Sequence, residues 1–293
     1  MDASIFISVI ILLIVVGALH SLSQATPQII AQDAKTDTTM PKDKGSFTIR
    51  FSEHQYSPAL RVDPNDDVQK IIESFGLITP RPTLFITGGA SRMTEDDIQR
   101  TREIMNEGIA KFAEQHNVTV IDGGTDAGVM QMIGEARKKN NYKFPLIGCA
   151  PYYKVTFPGS EIVEGAEASL EAGHSHFVLV NAPEWGGESQ TIVNLTRAIA
   201  ARQRPMIGVL INGGAIAERD VFFATAIGND RIPILVLDGS GRTADTISNA
   251  FKTQRTDNRM IKAIIQGGDI RLTPLVEGVP ALLKHLNKHY GVE

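Results

Sequence analysis

Cysteine is almost missing from this chain: Cys149 is the only one in 293 residues. An internal disulfide is therefore excluded, and the composition fits a reducing compartment. Charge of one sign is not in excess either, since 29 Lys and Arg face 33 Asp and Glu for a formal net charge of -4. No basic surplus points to nucleic acid as a partner. After Leu19 there is no hydrophobic stretch long enough to span a bilayer, so any pore would have to belong to another chain. What remains, 42% hydrophobic and 21% charged, is ordinary for a soluble globular domain with an extra segment.

That segment is the N-terminus. Ile5 to Leu19 carries no charge and no proline, and with Leu22 counted it approaches the roughly 20 apolar residues of a spanning helix. Ser23-Gln24-Ala25 also fits a small-residue cleavage site, so a signal peptide is the alternative, with export after cleavage near Ala25. Lys35, Lys42 and Lys44 follow the run, and only the terminal amine precedes it, beside Asp2. That asymmetry favours a retained single-pass anchor with a cytoplasmic domain. The expected organisation is a membrane segment over 1–22, a flexible polar linker over 23–45 and a globular domain over 46–293.

The domain is organised around Val118 to Gly134. Val118-Thr119-Val120-Ile121 reads as a strand, Asp122-Gly123-Gly124-Thr125-Asp126 as a turn, and Val129, Met130, Met132 and Ile133 recur at helical spacing. Unpaired N–H groups and the dipole at such a helix start favour an anion. A tight βα turn without a ligand is the plainer explanation, but the pattern repeats. Thr83 to Thr87 runs into Gly88-Gly89-Ala90, Met206 to Ile211 into Asn212-Gly213-Gly214, and Ile232 to Leu237 into Asp238-Gly239-Ser240-Gly241. In a parallel sheet these ends share one edge, where open α/β folds bind ligands.

Around this centre, Ser46 to Phe51 alternates as a half-exposed strand, and Asp66 to Leu77 carries an apolar helical stripe. Thr94 caps a helix running to about Gln115, and Leu146 to Cys149 forms a strand. The irregular stretch from Pro151 to Gly165 suits either a lid or a surface loop. His176 to Val180 is a strand, Asn181 to Glu188 a loop holding Trp185, and Ser189 to Gln203 a helix. Strand and helix alternate through Lys252, and Val279 to His289 is a last helix. The expected fold is α/β, a mostly parallel sheet with helices on both faces in a single domain.

Taken in order, Phe47 to Phe51, Phe85 to Ala90, Asp122 to Met130 (GGxxxGVM within it), Leu146 to Pro151, His174 to Val180 (HSHF within it), Asn212-Gly213-Gly214 and Asp238 to Asp245 (GSGRxAD) resemble the SLOG superfamily, LSDAT type. Within it, the chain is similar to the branch shared by the N-terminal homology region of melastatin-type TRP channels and its prokaryotic relatives, over about residues 46–250. The resemblance implies a Rossmann-like fold binding nucleotides or nucleotide-derived ligands, of the ADP-ribose or NAD-related kind. No required cofactor and no metal are expected.

The site residues follow from the same match. Gly88, Gly89, Ala90, Gly123, Gly124, Thr125 and Gly128 occupy motif positions where backbone approaches phosphate, as do Gly213, Gly214, Gly239, Ser240 and Gly241. Arg242 offers a bidentate phosphate clamp, or a partner for Asp245. His174 is expected to bond a loop or the ligand, because Cys149 is the only thiol and no adjacent carboxylate completes a metal set. Glu188 suits a ribose hydroxyl or an ordinary helix start. The rival to a sensor is a phosphoribohydrolase of the same superfamily with a PGGxGTxxE pattern. Asn212 to Asp220 keeps the glycine pair, puts Asp220 at the acid position with Glu218 nearby, and lacks the proline, second glycine and threonine. A third possibility is a scaffold that forms homo-oligomers at a membrane, and a sensor would need a separate membrane effector.

Overall fold

Short β-branched runs and glycine turns do become one sheet in the computed structural model, which describes residues 43–160 and 165–292. The apolar run at 5–22 and most of the linker lie outside the described residues. Among the described residues no helix is long and apolar enough to cross a membrane.

The strands are β1 (Gly45–Ser52), β2 (Gln55–Val62), β3 (Thr83–Gly88), β4 (Thr119–Asp122), β5 (Leu146–Pro151), β8 (His176–Val180), β9 (Met206–Ile211), β10 (Ile234–Asp238) and β11 (Ile270–Pro274), with β6 (Val155–Thr156) and β7 (Ala168–Ser169) as a separate pair. They form a sheet in the order β1-β2-β8-β5-β4-β3-β9-β10-β11, parallel throughout except for the β1–β2 hairpin. From β3 the chain steps outward through β4 and β5, then returns to place β9 on the other side of β3. The resulting switch point is the place where such sheets open a crevice.

Helices cover both faces, as the buried periodicities require. One face packs α1 (Val68–Ser74), α5 (Ser189–Ala200), α6 (Ala215–Ala226), α7 (Arg242–Thr253) and α8 (Arg259–Gly267), through Ile71, Ile192, Val221, Ile247 and Ile264. The other packs α2 (Glu95–Glu103), a widened π turn (Ile104–Ala110), α3 (Lys111–Gln115), α4 (Gly128–Lys139) and α9 (Gly278–Tyr290), through Ile109, Phe112, Ile133 and Leu286. The strands between them are buried along almost their whole length and mostly apolar, the mark of a doubly covered parallel sheet.

Two strands have no clear periodicity. β2 contains Pro58, and its ladder to β8 begins only at Ala59, beyond the residue that lacks an N–H. β11 is a five-residue edge strand ending at Pro274. The stretch after Pro151 is less irregular than its composition implies, because a single 3-10 turn (Tyr152–Lys154) and the β6–β7 pair order its ends.

Candidate functional site

A cleft of about 700 Å³ opens at the carboxyl ends of the strands, over the switch point between β3 and β9. Each wall is a strand-to-helix turn. Thr87 to Ser91 ends and follows β3, Gly123 and Thr125 follow β4, and Gly213 to Ala217 follows β9. Ala127, Gly128 and Met130 of α4, Ile192 of α5 and Arg242 of α7 complete the ring. Four helices begin at or beside it, at Gly128, Ser189, Ala215 and Arg242, and in none does a side chain cap the first turn. Backbone carbonyls take two of the leading N–H groups, Ser189 donating to Gly186 O and Ala244 to Asn212 O, and the remainder of such helix starts suit an anion.

Two carboxyl groups sit at the inner end. Asp220, on α6, is 4% exposed, and its Oδ2 accepts a 2.6 Å bond from Thr87 Oγ1 across the switch point. Burial raises its pKa, partly offset by the neighbouring hydroxyls of Ser189 and Thr87 and the charge of Arg219. Asp220 Oδ1 and Ser189 Oγ are buried, and neither makes a hydrogen bond of good geometry, though the hydroxyl stands close enough to favour the carboxylate. Glu188, also 4% exposed, precedes α5 and accepts from the Gly186 N–H at 2.8 Å. Burial lifts its pKa to about 8; the charge of Asp220 also raises it, while its backbone hydrogen bonds and Arg219 lower it. Glu188 thus holds its proton near neutrality. Cys149, fully buried one strand away, has its thiol pushed up by the same burial and by these carboxylates, so it is no nucleophile.

At the opposite wall Arg242 stands over the β9 turn. A side chain on Gly214 would meet its Nη2 at 2.7 Å. Among the described residues the guanidinium has no ion pair or side-chain hydrogen bond, and it is exposed to the cleft. Its backbone is left-handed, φ 49°, an unusual conformation for a branched cation and one that tends to be retained where function requires it. Asp245 is not its partner, because that carboxylate accepts the Gly239 N–H at 2.8 Å.

Of the residues expected from the sequence, Gly88, Gly89, Ala90, Gly123, Thr125, Gly128, Glu188, Gly213, Gly214, Arg242 and Asp220 line this cleft together. The others do not. Ser240 is 2% exposed and turned inward, its hydroxyl donating to Leu237 O and accepting from the Asn212 N–H, so it staples the β9 and β10 turns. Gly239 and Gly241 shape the β10 turn behind Arg242. Glu218 faces away and accepts from Asn258 Nδ2. Gly124 is packed beneath the turn against Gly148, and His174 is buried below it, between Asp122 and Glu171.

Sequence reasoning missed Trp185, Thr87, Met130 and Ile216, all of which line the cleft. Only Trp185 left a signal, as the chain's single tryptophan in a loop at the ligand edge. Its Nε1 donates to Glu167 Oε2 at 2.9 Å, and Lys154 bridges Glu167 and Glu184 beside it. The ring is held in place rather than left to swing.

Comparison with known proteins adds a family and a set of relatives. The family described as "SLOG in TRPM, prokaryote" matches residues 81–281. The transient receptor potential cation channel subfamily M member 2 of Mus musculus is 25% identical over 214 residues, covering 61% of this chain and 14% of its own length. A subfamily M member-like 2 protein of Nematostella vectensis is 25% identical over 256 residues, covering 74% and 16%. Human subfamily M member 6 is 23% identical over 252 residues, covering 74% and 12%. The chain therefore spans about a seventh of the length of these channels.

Proposed function

Because the chain belongs to the prokaryotic SLOG-in-TRPM family, we propose that its cleft binds a nucleotide-derived ligand of the ADP-ribose or NAD-related kind and that the domain is a sensor. The observation that carries this reading is Arg242, an arginine without a side-chain partner among the described residues, facing a ring of glycine turns and uncapped helix starts. Backbone donors and a guanidinium together suit phosphate oxygens. Trp185 supports the other half of such a ligand, since a pinned indole offers a stacking face to a base. The apolar run at Ile5 to Leu19 and the channel relatives support a membrane-tethered sensor whose effector is a separate chain.

A second reading is favoured by a specific observation. Glu188, protonated near neutrality, and buried Asp220 line the same cleft. A neutral acid beside a carboxyl group is the equipment for hydrolysing an N-glycosidic bond, with one group protonating the leaving base and the other activating water.

One experiment separates the readings. The full-length chain is titrated with ADP-ribose, NAD, AMP and ribose 5-phosphate while the fluorescence of its single tryptophan is followed, and each sample is chromatographed for free base. The sensor reading predicts a saturable change with intact ligand and, at a hundred times the dissociation constant, about 2.7 kcal/mol of added stability. Arg242→Ala should weaken binding of the phosphate-bearing ligands roughly ten-fold or more, the worth of a charge-assisted bidentate pair. Gly89→Ala should weaken it with unchanged melting, because the added β-carbon would meet nothing closer than 3.9 Å in the protein and Gly89 lines the cleft. Release of base establishes the hydrolase. A folded protein whose fluorescence and melting are indifferent to all four compounds sinks both and leaves the scaffold.

A further inference from the structure

Directly beneath the β4 turn lies a buried polar cluster whose side chains do not line the cleft. His174 Nε2 is 2.8 Å from Asp122 Oδ1, and its Nδ1 is 2.8 Å from Glu171 Oε2. All three side chains are almost wholly buried. Each ring nitrogen therefore faces a carboxyl oxygen, and only an imidazolium has two N–H donors to satisfy two carboxylates. Asp122 Oδ2 is buried without a hydrogen-bond partner, so among the described residues His174 is the one side chain that bonds this carboxyl.

The same oxygens hold the turn. Asp122 Oδ1 also accepts the Gly124 N–H at 2.8 Å, and the Glu171 N–H donates to Gly124 O at 2.9 Å. Gly124 is left-handed, φ 67°, and a β-carbon there would lie 2.7 Å from Gly148 Cα, so both its conformation and its seat require glycine. Asp126 N–H donates to Ser169 O at 2.7 Å, tying the far side of the turn to the same loop. The loop itself is docked by Ser57 Oγ on His174 O and by Gly173, whose α-carbon abuts the Gly134 carbonyl of α4.

We propose that His174 is a positioning residue for the ligand turn: donating to Asp122 and Glu171 together, it fixes Gly124 and so sets the Gly123 and Thr125 groups that line the cleft. Its role in affinity rests on the cleft being the nucleotide site; its role in the turn does not. Burial alone would depress the ring's pKa, but the Asp122 charge and the bonds to both carboxyls outweigh it and lift it to about 9. The other charged group packed here is Arg137 of α4, which donates to Gly173 O at 3.0 Å and lies near Glu171. With the folded value above the usual 6.5, the stabilisation is complete below that pH and is lost as pH rises through about 9.

The test uses the full-length chain and two kinds of readout. In the ligand-free protein, imidazole nitrogen NMR should show His174 doubly protonated at pH 7, titrating near pH 9, and hydrogen exchange at the Gly124 amide, taken relative to the base-catalysed rate of an unprotected amide, should accelerate through the same transition. His174→Gln should speed that exchange at every pH, and should lower ADP-ribose affinity roughly ten-fold, the equivalent of one lost bond to a charged group. The variant should also remove the alkaline fall in affinity shown by the wild type. A neutral His174 at pH 7, or a Gly124 amide indifferent to its titration, overturns the proposal even if the variant fails to fold, because the wild type supplies both measurements. Should no nucleotide bind, the functional reading fails while the exchange data still decide the role of His174 in the turn.

Discussion

Gly88→Ala is expected to unfold the domain or leave it with a small part of its stability, a loss on the order of 3 kcal/mol or more against the roughly 5–15 kcal/mol of a typical domain. The added β-carbon would stand 1.8 Å from the carbonyl oxygen of Ile211, and that oxygen belongs to the backbone of β9, paired in register with β3. A flexible side chain would yield, but a paired central strand does not. The residue also lies at φ 143°, outside the range that L side chains adopt readily. Two other glycines supply the controls. Gly239→Ala meets no atom within 4 Å but keeps a φ of 88°, so it should cost about 1–2 kcal/mol through conformation alone. Gly89→Ala has neither burden and should melt like the wild type. Denaturant midpoints of the three variants check the order, and equal midpoints would remove the packing explanation for Gly88.

Glu188→Gln is expected to stabilise the protein at neutral pH. In the unfolded chain this carboxyl ionises near its usual 4.5, whereas the folded protein keeps the proton up to about 8, because burial penalises the charge. Between those values the unfolded state binds fewer protons, so stability falls as pH rises, by about 1.4 kcal/mol per unit, and levels off above the folded value. At pH 7 the accumulated penalty is roughly 3 kcal/mol. Glutamine cannot ionise, and its amide oxygen can still accept the Gly186 N–H that Glu188 now takes at 2.8 Å. The variant should match the wild type near pH 4.5, exceed it at pH 7 and show no such slope between. Superimposable pH profiles would mean that Glu188 ionises freely. A carboxyl retained at this cost in a cleft fits a residue kept for ligand or proton handling rather than for the fold.

Much of the architecture was legible beforehand because parallel strands buried on both faces write themselves as unbroken apolar runs. Met206–Ile211 and His176–Val180 read directly, and the glycine pairs marked where each strand stops. β2 and β11 did not read, since Pro58 and the short, half-exposed edge sequence blur the period on which such reading depends. The helix after Thr94 was visible, its π turn at Ile104–Ala110 was not, because a widened turn leaves the apolar stripe nearly unchanged.

For the site, the primary structure by itself determined the family, the parallel α/β sheet and the edge at which its glycine turns gather, because strand period, turn chemistry and helix starts are local properties. Only the tertiary structure decided what each of those residues is for. Gly88 and Gly124 are glycine because another backbone presses on them, Ser240 because two turns must be stapled, and His174 because two buried carboxyls converge on it. Asp220, Arg242 and the loop that carries both Trp185 and Glu188 come from three separate stretches of chain to face one cleft. Burial, charge pairing and close approach arise between segments far apart in the chain, and no local pattern encodes them.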